Sequence, residues 1–389
     1  MSEQQLKLKD GQQYIYYKCA CRASDNEELV CRLLKSRDSE NGLEYYVQFM
    51  DCNSRVDDWY LASSIKPLSD EERISRDEQI RTFVDKPVEV RSINRLHFGG
   101  FVMDVWYYVP LTEELQHDDV YCCEFCLNFI NNKRGYERHL QKCTVREPPG
   151  TEIYRDDKII FYEIDGQTQK RYCRNISYVA RMFLQHKTLE IDVDIFNFYV
   201  MYAKLGDSYR LVGYFSKEKP LMMPSANILS CILTLPCYQS QGFGSILIDM
   251  SYMLASRDNL IGSPEKPLSD LGYMAFSRYW KHRIFEYLTE HDTNSISIAD
   301  IVKYTNFTAL DIQQTMRQEN CLFPRKSGDF VFYVKDEQMS KFIESAERQE
   351  KKAWRIQDKY LHYFPCSLLG REYKGDLDRL VVWVKQLGY

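Results

Sequence analysis

The sequence lacks the features of secreted, membrane-spanning and strongly cationic proteins. No apolar run approaches the roughly 20 residues needed to span a bilayer, and the first 20 residues contain no apolar stretch of the signal-peptide type. An excess of positive charge is also missing, because 51 basic and 56 acidic residues give a formal net charge of −5. That balance argues against a protein that grips nucleic acid through its overall charge. The chain has no internal repeat and no low-complexity tract.

The 13 cysteines do not form the pattern of a disulfide-stabilised protein. Their number is odd, and they are scattered from Cys19 to Cys366. Without a secretion signal, this favours a reducing compartment, in which thiols serve in metal binding or catalysis. We therefore expect a soluble intracellular protein. With 389 residues, 44% of them hydrophobic, the chain is long enough for two or three folded domains.

The distribution of strand-forming and charged residues predicts how the chain is organised. Residues 1–10 form a polar tail, and residues 11–68 contain short strand-forming pieces separated by polar turns, which suits a small β-barrel. Residues 69–85 form a charged linker. Between the linker and Gly272 we expect strands at 95–98, 102–109 and 226–235 and helices at 176–184 and 246–254. After Gly272 we expect a mainly helical chain, with a helix-turn-helix rhythm over 296–321.

Four residues have the spacing of a metal site. Cys123, Cys126, His139 and Cys143 follow the pattern C-x2-C-x12-H-x3-C, and a helix carrying the last two at i, i+4 puts them on one face. Four nitrogen and sulfur ligands predict a closed, structural zinc site. The alternative, three buried thiols and a core histidine, is disfavoured because full ligand spacing rarely arises by chance. The module is locally basic, but a single finger is weak support for a DNA reader, so we favour a scaffold.

A second motif, QSQGFG at residues 239–244, follows an apolar strand and opens a helix. Glycines allow backbone N–H groups to approach a pyrophosphate, and the helix N-terminus adds positive partial charge. The motif has neither the three glycines of the dinucleotide-binding fingerprint nor the lysine of a P-loop. Taken alone, two such glycines more often form a simple turn.

Longer strings resemble the MYST acetyltransferase family. They are, in order, PPG at 148–150, HKTL at 186–189, LVGYFSKEK at 211–219, SCILTLP at 230–236 and GSPEKPLSDLG at 262–272. The resemblance covers roughly residues 86–366. It implies an α/β fold with a zinc finger over 119–144, an acetyl-CoA-binding N-acetyltransferase core over 150–290 and a helical C-terminal part over 291–366, followed by an extension at 367–389.

The N-terminal region resembles the chromo-barrel of one branch of this family. The strings are YYVQF at 45–49 and NSRVDDW at 53–59. Two interpretations of the aromatic residues Tyr46, Phe49 and Trp59 stay open. They form part of a surface for methyl-lysine or RNA, or they are the core of the small barrel.

The family resemblance implies roles for individual residues. Glu265, in a loop that contains Pro264 and Pro267, is expected to be the general base that deprotonates a substrate lysine. Cys231 matches a cysteine beside the acetyl group, which either carries the acetyl transiently or only lines the pocket. Lys187 matches an autoacetylated lysine. The implied acetyl-CoA contacts are the backbone groups of Ile232, Leu233 and Thr234, the loop Gln239, Ser240, Gln241, Gly242, Phe243, Gly244 and Ser245, and also Ser269.

The phosphate loop departs from the family pattern. Members usually read QRRGYGK, whereas this chain reads QSQGFGS, so two arginines and a lysine are missing. Backbone contacts survive the change, but weaker acetyl-CoA affinity is expected. An active enzyme is therefore the leading hypothesis, and a catalytically weak chromatin-binding module is the alternative. A zinc-finger DNA-binding regulator has little support.

The resemblance also implies partners and a location. We expect histone tails or the nucleosome as substrate, membership of a multisubunit acetyltransferase complex and residence in the nucleus. RNA or methyl-lysine is the expected ligand class if the aromatic residues of the barrel form a surface. No membrane association is expected.

Overall fold

The computed structural model of the chain divides into two compact units. The described residues are 16–22, 26–50, 52–69, 71–72, 89–185, 192–219, 227–291, 296–324, 330–350 and 355–363.

The first unit begins with a five-stranded antiparallel sheet in the order β4-β3-β2-β1-β5. The turn residues Asp38, Ser39, Asn41 and Gly42 predict a hairpin from the sequence. The structure confirms it between β2 and β3, with Ser39 paired to Gly42. Gly42 has φ +116°, which glycine adopts without the steric penalty of a Cβ atom. The strands are β1 (Tyr16–Cys21), β2 (Glu27–Ser39), β3 (Gly42–Phe49), β4 (Asp58–Leu61) and β5 (Ile65–Pro67).

The aromatic residues of this sheet are mostly interior. Phe49 is 1% exposed and belongs to the apolar core of the sheet. Tyr46 is 2% exposed, and burial raises the pKa of its phenol to about 12. Trp59 is half-buried, with the guanidinium of Arg37 lying 4.2 Å from its ring centre. The burial favours the core interpretation for Tyr46 and Phe49, which leaves Trp59 as the partly accessible ring of the three.

A second sheet in the same unit has the order β7-β6-β8-β9. Strand β6 matches its prediction, whereas the strand predicted over 102–109 is shorter in the structure, where β7 begins at Phe101 and ends at Asp104. Gly99 and Gly100, both with positive φ, form the tight turn between β6 and β7. Because β6 has only four residues, β7 pairs with it over four residues. The elements are β6 (Arg95–Phe98), β7 (Phe101–Asp104), β8 (Asp119–Cys122), β9 (Phe129–Ile130) and helix α1 (Lys133–Lys142).

Several side-chain contacts join the N-terminal sheet to the segment 91–107. The hydroxyl of Tyr107 donates to Asn53 Oδ1 at 2.9 Å. Arg91 lies 3.4 Å from the Asp58 carboxylate. The guanidinium of Arg55 lies 3.9 Å from the centre of the Trp106 ring. These contacts belong to one compact unit, so the sheet is bound by side chains as well as by chain connectivity.

The second unit contains a five-stranded antiparallel sheet in chain order from β10 to β14. The strand predicted at 226–235 is shorter in the structure, where β14 covers four of its residues and Asn227 forms an isolated bridge with Ser263. The helix predicted at 176–184 begins earlier and ends at Arg181. The elements are β10 (Thr151–Arg155), β11 (Ile159–Asp165), α2 (Lys170–Arg181), β12 (Phe196–Leu205), β13 (Ser208–Glu218) and β14 (Cys231–Thr234).

Helices follow this sheet. The helix predicted at 246–254 is longer, and the predicted helix-turn-helix is confirmed as α5 and α6, which are capped by Ser297 and Thr308. A short hairpin of β15 and β16 interrupts the region that was predicted to be helical. The elements are α3 (Phe243–Arg257), α4 (Asp270–Glu290), α5 (Ile298–Thr305), α6 (Ala309–Gln318), β15 (Leu322–Pro324), β16 (Phe330–Phe332) and α7 (Asp336–Glu350). Within the described ranges, no helix has the length and apolar character required to cross a membrane.

Candidate active site

The four predicted metal ligands come together. The ligand atoms of Cys123, Cys126, His139 and Cys143 all lie within 4.8 Å of one another. Zinc bonds of about 2.0–2.3 Å place tetrahedral ligand atoms roughly 3.3–3.8 Å apart, so three thiolates and one imidazole at this spacing fit a zinc ion. Helix α1 ends at Lys142, one residue before Cys143. The last ligand therefore follows the helix, whereas the sequence predicted that the helix carries it.

Strand β14 is the last strand of its sheet, and Cys231 is its first residue. Cys231 pairs with Ser216 of β13, and its sulfur lies 3.5 Å from the hydroxyl of Tyr214. Burial holds the pKa of the Tyr214 phenol well above its usual value, and the Cys231 thiol raises it further. The phenol is therefore protonated at neutral pH and remains a hydrogen-bond donor.

The strands β13 and β14 approach each other closely at Gly213. A Cβ atom at this position would lie 2.4 Å from the carbonyl oxygen of Leu233. Only glycine fits this contact without displacing β14.

The loop that carries Glu265 is hydrogen-bonded to the segment that leads into β14. The N–H of Glu265 donates to the carbonyl of Leu229 at 2.9 Å, and the N–H of Ile228 donates to the carbonyl of Ser263 at 2.9 Å. Leu229 precedes Cys231 by only two positions, so the loop lies beside the start of β14. The Glu265 side chain is exposed and accessible to a substrate.

The predicted phosphate loop lies between the end of β14 and the start of α3. The side-chain amide of Gln239 donates to the carbonyl of Thr234 at 3.2 Å. Gly242 caps α3 with φ +92°, and Ser240 also has a positive φ of 62°. The first turn of a helix leaves backbone N–H groups without intrahelical partners, which suits an anion. The side chain of Phe243 is 3% exposed, so this residue offers only its backbone.

Two other predicted site residues are Ser269 and Lys187. Ser269 is the N-cap of α4, and its Oγ accepts from the N–H of Gly272 at 3.1 Å. Its visible role is therefore to cap a helix. Lys187 lies outside the described residues.

Two contacts near these loops were missed by the sequence analysis. Tyr214 belongs to the segment LVGYFSKEK at 211–219, but nothing in that segment indicates that its hydroxyl reaches Cys231. Lys266, directly after Glu265, forms an ion pair at 2.8 Å with the buried Asp311. The two residues are separated by 45 positions, and no local pattern signals such a pair.

Comparison with known proteins gives a consistent assignment for three segments. Residues 147–361 match the MOZ/SAS family, and residues 90–143 match the MYST family zinc finger domain. Residues 12–67 match the family described as RNA binding activity-knot of a chromodomain.

Curated relatives extend the similarity over most of the chain. Histone acetyltransferase ESA1 of Eremothecium gossypii is 34% identical over 383 residues, which covers 83% of this chain and 87% of the relative. ESA1 of Saccharomyces cerevisiae is 41% identical over 276 residues, covering 68% of this chain and 61% of the relative. Histone acetyltransferase mst1 of Schizosaccharomyces pombe is 41% identical over 274 residues, covering 69% and 58%. The chain thus spans less than two thirds of the length of the last two.

The MOZ/SAS match alone covers more than half of the 389 residues, and it contains both loops that meet β14. The zinc finger match contains all four metal ligands. On this basis, the chain belongs to the MOZ/SAS family, the MYST group of acetyltransferases.

Proposed function

We propose that the chain is a histone acetyltransferase, which transfers the acetyl group of acetyl-CoA to lysine side chains of histone tails. The observation that carries the proposal is the backbone bond between Glu265 and Leu229. This bond keeps the Glu265 loop beside the first residues of β14, and the N-terminus of α3 follows the last residue of β14 in the chain. A base and an anion site at opposite ends of one edge strand suit a long thioester substrate that runs along the strand. The curated relatives carry the same activity in their names.

The residues present suit the binding of acetyl-CoA, which supplies the reactive thioester. An edge strand offers backbone N–H and C=O groups on its outer side, and those of Ile232, Leu233 and Thr234 are proposed to hold the pantetheine amides. The loop of Gln239, Ser240, Gln241, Gly242, Phe243, Gly244 and Ser245 is proposed to surround the pyrophosphate. Ser269 is proposed to assist on the far side of the cofactor.

In the proposed reaction, Glu265 removes a proton from the substrate lysine. A lysine ammonium has a pKa near roughly 10.4 and has no lone pair for attack until it loses that proton. The neutral amine then attacks the thioester carbon, a C–N bond forms, the C–S bond breaks, and the departing thiolate takes up a proton. Cys231 lines the same end of β14. It serves either as a transient acetyl carrier or as part of the pocket wall, and we rank Glu265 above it as the indispensable group.

The remaining parts of the chain are proposed to support this reaction in chromatin. The zinc site stabilises its module, and the N-terminal domain, which is proposed to span residues 11–68, binds chromatin or RNA. We propose that the enzyme acts in the nucleus within a multisubunit complex, and that Lys187 is autoacetylated. The acetyltransferase domain is proposed to span residues 86–366.

Transfer of labelled acetyl from acetyl-CoA to core histones tests the proposal directly. We expect the purified chain to label histone lysines in proportion to time and enzyme concentration. Absence of transfer by a folded, zinc-loaded chain, alone and with its co-purified partners, would instead support the chromatin-binding module.

Replacing Ser245 with lysine is expected to tighten acetyl-CoA binding several-fold. Ser245 is exposed in the first turn of α3, so a lysine here adds a positive charge beside the proposed pyrophosphate site. The gain should shrink as salt is added, because exposed charges are screened. Calorimetric titration with acetyl-CoA at two salt concentrations measures both effects.

Ser256→Lys provides the matched control for this change. Ser256 is exposed near the opposite end of the same helix, so its replacement makes the same change in net charge. An equal gain from Ser256→Lys, or no gain from Ser245→Lys, would contradict a phosphate site at the start of α3.

A further inference from the structure

Asp311, in helix α6, has a buried carboxylate that is bound by Lys266 and Thr308. Its side chain is 0% exposed, and Oδ1 lies 2.8 Å from the ammonium of Lys266. Oδ2 accepts from the hydroxyl of Thr308 at 2.7 Å. An ionised carboxylate removed from water needs a counter-ion and hydrogen bonds to remain there. Lys266, whose side chain is 50% exposed, supplies the charge from the solvent side.

This ion pair fixes the residue next to Glu265. On one side, the loop is bound through its backbone to Ile228 and Leu229. On the other side, the N–H of Gly262 donates to the carbonyl of Asn306 at 3.1 Å, between α5 and α6. The ion pair between Lys266 and Asp311 adds a side-chain contact that follows Glu265 in the chain, whereas the contact of Gly262 precedes it. The loop is therefore held to α6 on the C-terminal side of its carboxylate.

From this arrangement we infer that Asp311 is a positioning residue for Glu265, acting through Lys266. The inference rests on the proposed role of Glu265 as general base. The Glu265 side chain is exposed, so its orientation depends on how firmly the backbone of the loop is held. A displacement of about 1 Å at a reacting group lowers a rate by up to roughly a hundredfold. The pair thus connects the helical C-terminal region to the proton transfer.

The variant Asp311→Asn tests the inference at the buried end of the pair. Asparagine carries no charge and has a single carbonyl oxygen for the two donors Thr308 and Lys266, so the ion pair is lost whichever way the amide is oriented. Because Lys266 is half exposed, it stays hydrated after release and the chain is expected to fold. We expect kcat for histone acetylation to fall about tenfold, while the KM for acetyl-CoA stays within about twofold.

Two further variants keep the test independent of folding. Lys266→Gln removes the charge from the exposed end of the pair, yet its amide can still donate to Asp311, so an intermediate loss of kcat is expected. Asp300→Asn is the matched control, because Asp300 caps the neighbouring helix α5 through Ser297. Its kcat should equal that of the unmodified chain. Zinc content and thermal midpoint are measured for every variant.

Combination with Glu265→Gln separates positioning from general damage. If Asp311 acts only through Glu265, then Asp311→Asn lowers kcat no further once the carboxylate is gone. An equal loss in both backgrounds, or a loss shared by Asp300→Asn, would overturn the inference. An unimpaired Asp311→Asn alongside an impaired Glu265→Gln would overturn it as well, but would leave the proposed function intact. An unimpaired Glu265→Gln would overturn the proposed base.

Discussion

Glu265→Gln is expected to lower kcat for histone acetylation by roughly 10²–10⁴-fold near pH 7, the usual contribution of a positioned general base. Glutamine preserves the shape of the side chain, so the backbone bond to Leu229 and the binding of acetyl-CoA should be retained. The KM for acetyl-CoA should therefore change little. Steady-state kinetics with labelled acetyl-CoA and core histones measure both parameters.

The pH dependence of this loss identifies its cause. As the pH rises towards the lysine pKa of about 10.4, more of the substrate amine is already neutral and the base is needed less. The deficit of Glu265→Gln should thus shrink between about pH 7 and pH 9. Glu290→Gln, at the last residue of α4, serves as the control and should behave like the unmodified chain. A deficit that is independent of pH, or one below about threefold, would contradict a base at Glu265.

Loss of the zinc ion is expected to have the largest effect on folding. Structural zinc contributes roughly 10–16 kcal/mol to the folding of isolated finger peptides, which exceeds the total stability of many domains. We expect Cys123→Ser to lose one equivalent of zinc and to abolish the cooperative unfolding of the finger region. Metal analysis and thermal unfolding followed by circular dichroism measure the two quantities.

The neighbouring Cys122→Ser is the matched control for the zinc experiment. Cys122 is 0% exposed in β8 but does not belong to the ligand cluster. Replacing a buried thiol with a hydroxyl should lower the free energy of unfolding by about 1–3 kcal/mol, with zinc retained. Equal zinc loss from both variants would mean that the ligand set is wrong.

The sequence could predict those features whose cause is local. Ligand spacing placed Cys123, Cys126, His139 and Cys143 together, since knuckle and helix geometry act over a few residues. The hairpin at Gly42 and the pair α5 and α6 were predicted for the same reason. The ends of the helices and strands were less predictable, because they depend on where the neighbouring strands and turns begin and end. Strand β7 ends at Asp104, opposite Arg95, the first residue of β6, and α3 begins where Gly242 adopts a left-handed conformation.

The arrangement around β14 could not be predicted from local patterns. Glu265 and Cys231 are separated by more than 30 positions, and only the resemblance to a family suggested that they act together. The structure supplies the physical link through the bond from Glu265 to Leu229. The pair of Lys266 and Asp311 was missed, because a lysine in a loop and an aspartate near a helix start each have an ordinary solvated role in sequence terms.

The side-chain contacts between the N-terminal sheet and segment 91–107 leave the charged linker with a defined role. Asn53, Arg55 and Asp58 already hold the sheet against Tyr107, Trp106 and Arg91. Contacts of this kind contribute about 1 kcal/mol or less each at a surface, so a protease that cuts the linker is expected to weaken the association of the two fragments, and gel filtration at several protein concentrations measures by how much. Because the linker joins the two surfaces covalently, each surface experiences a high effective concentration of the other. The side-chain contacts then set the geometry in which the two surfaces bind.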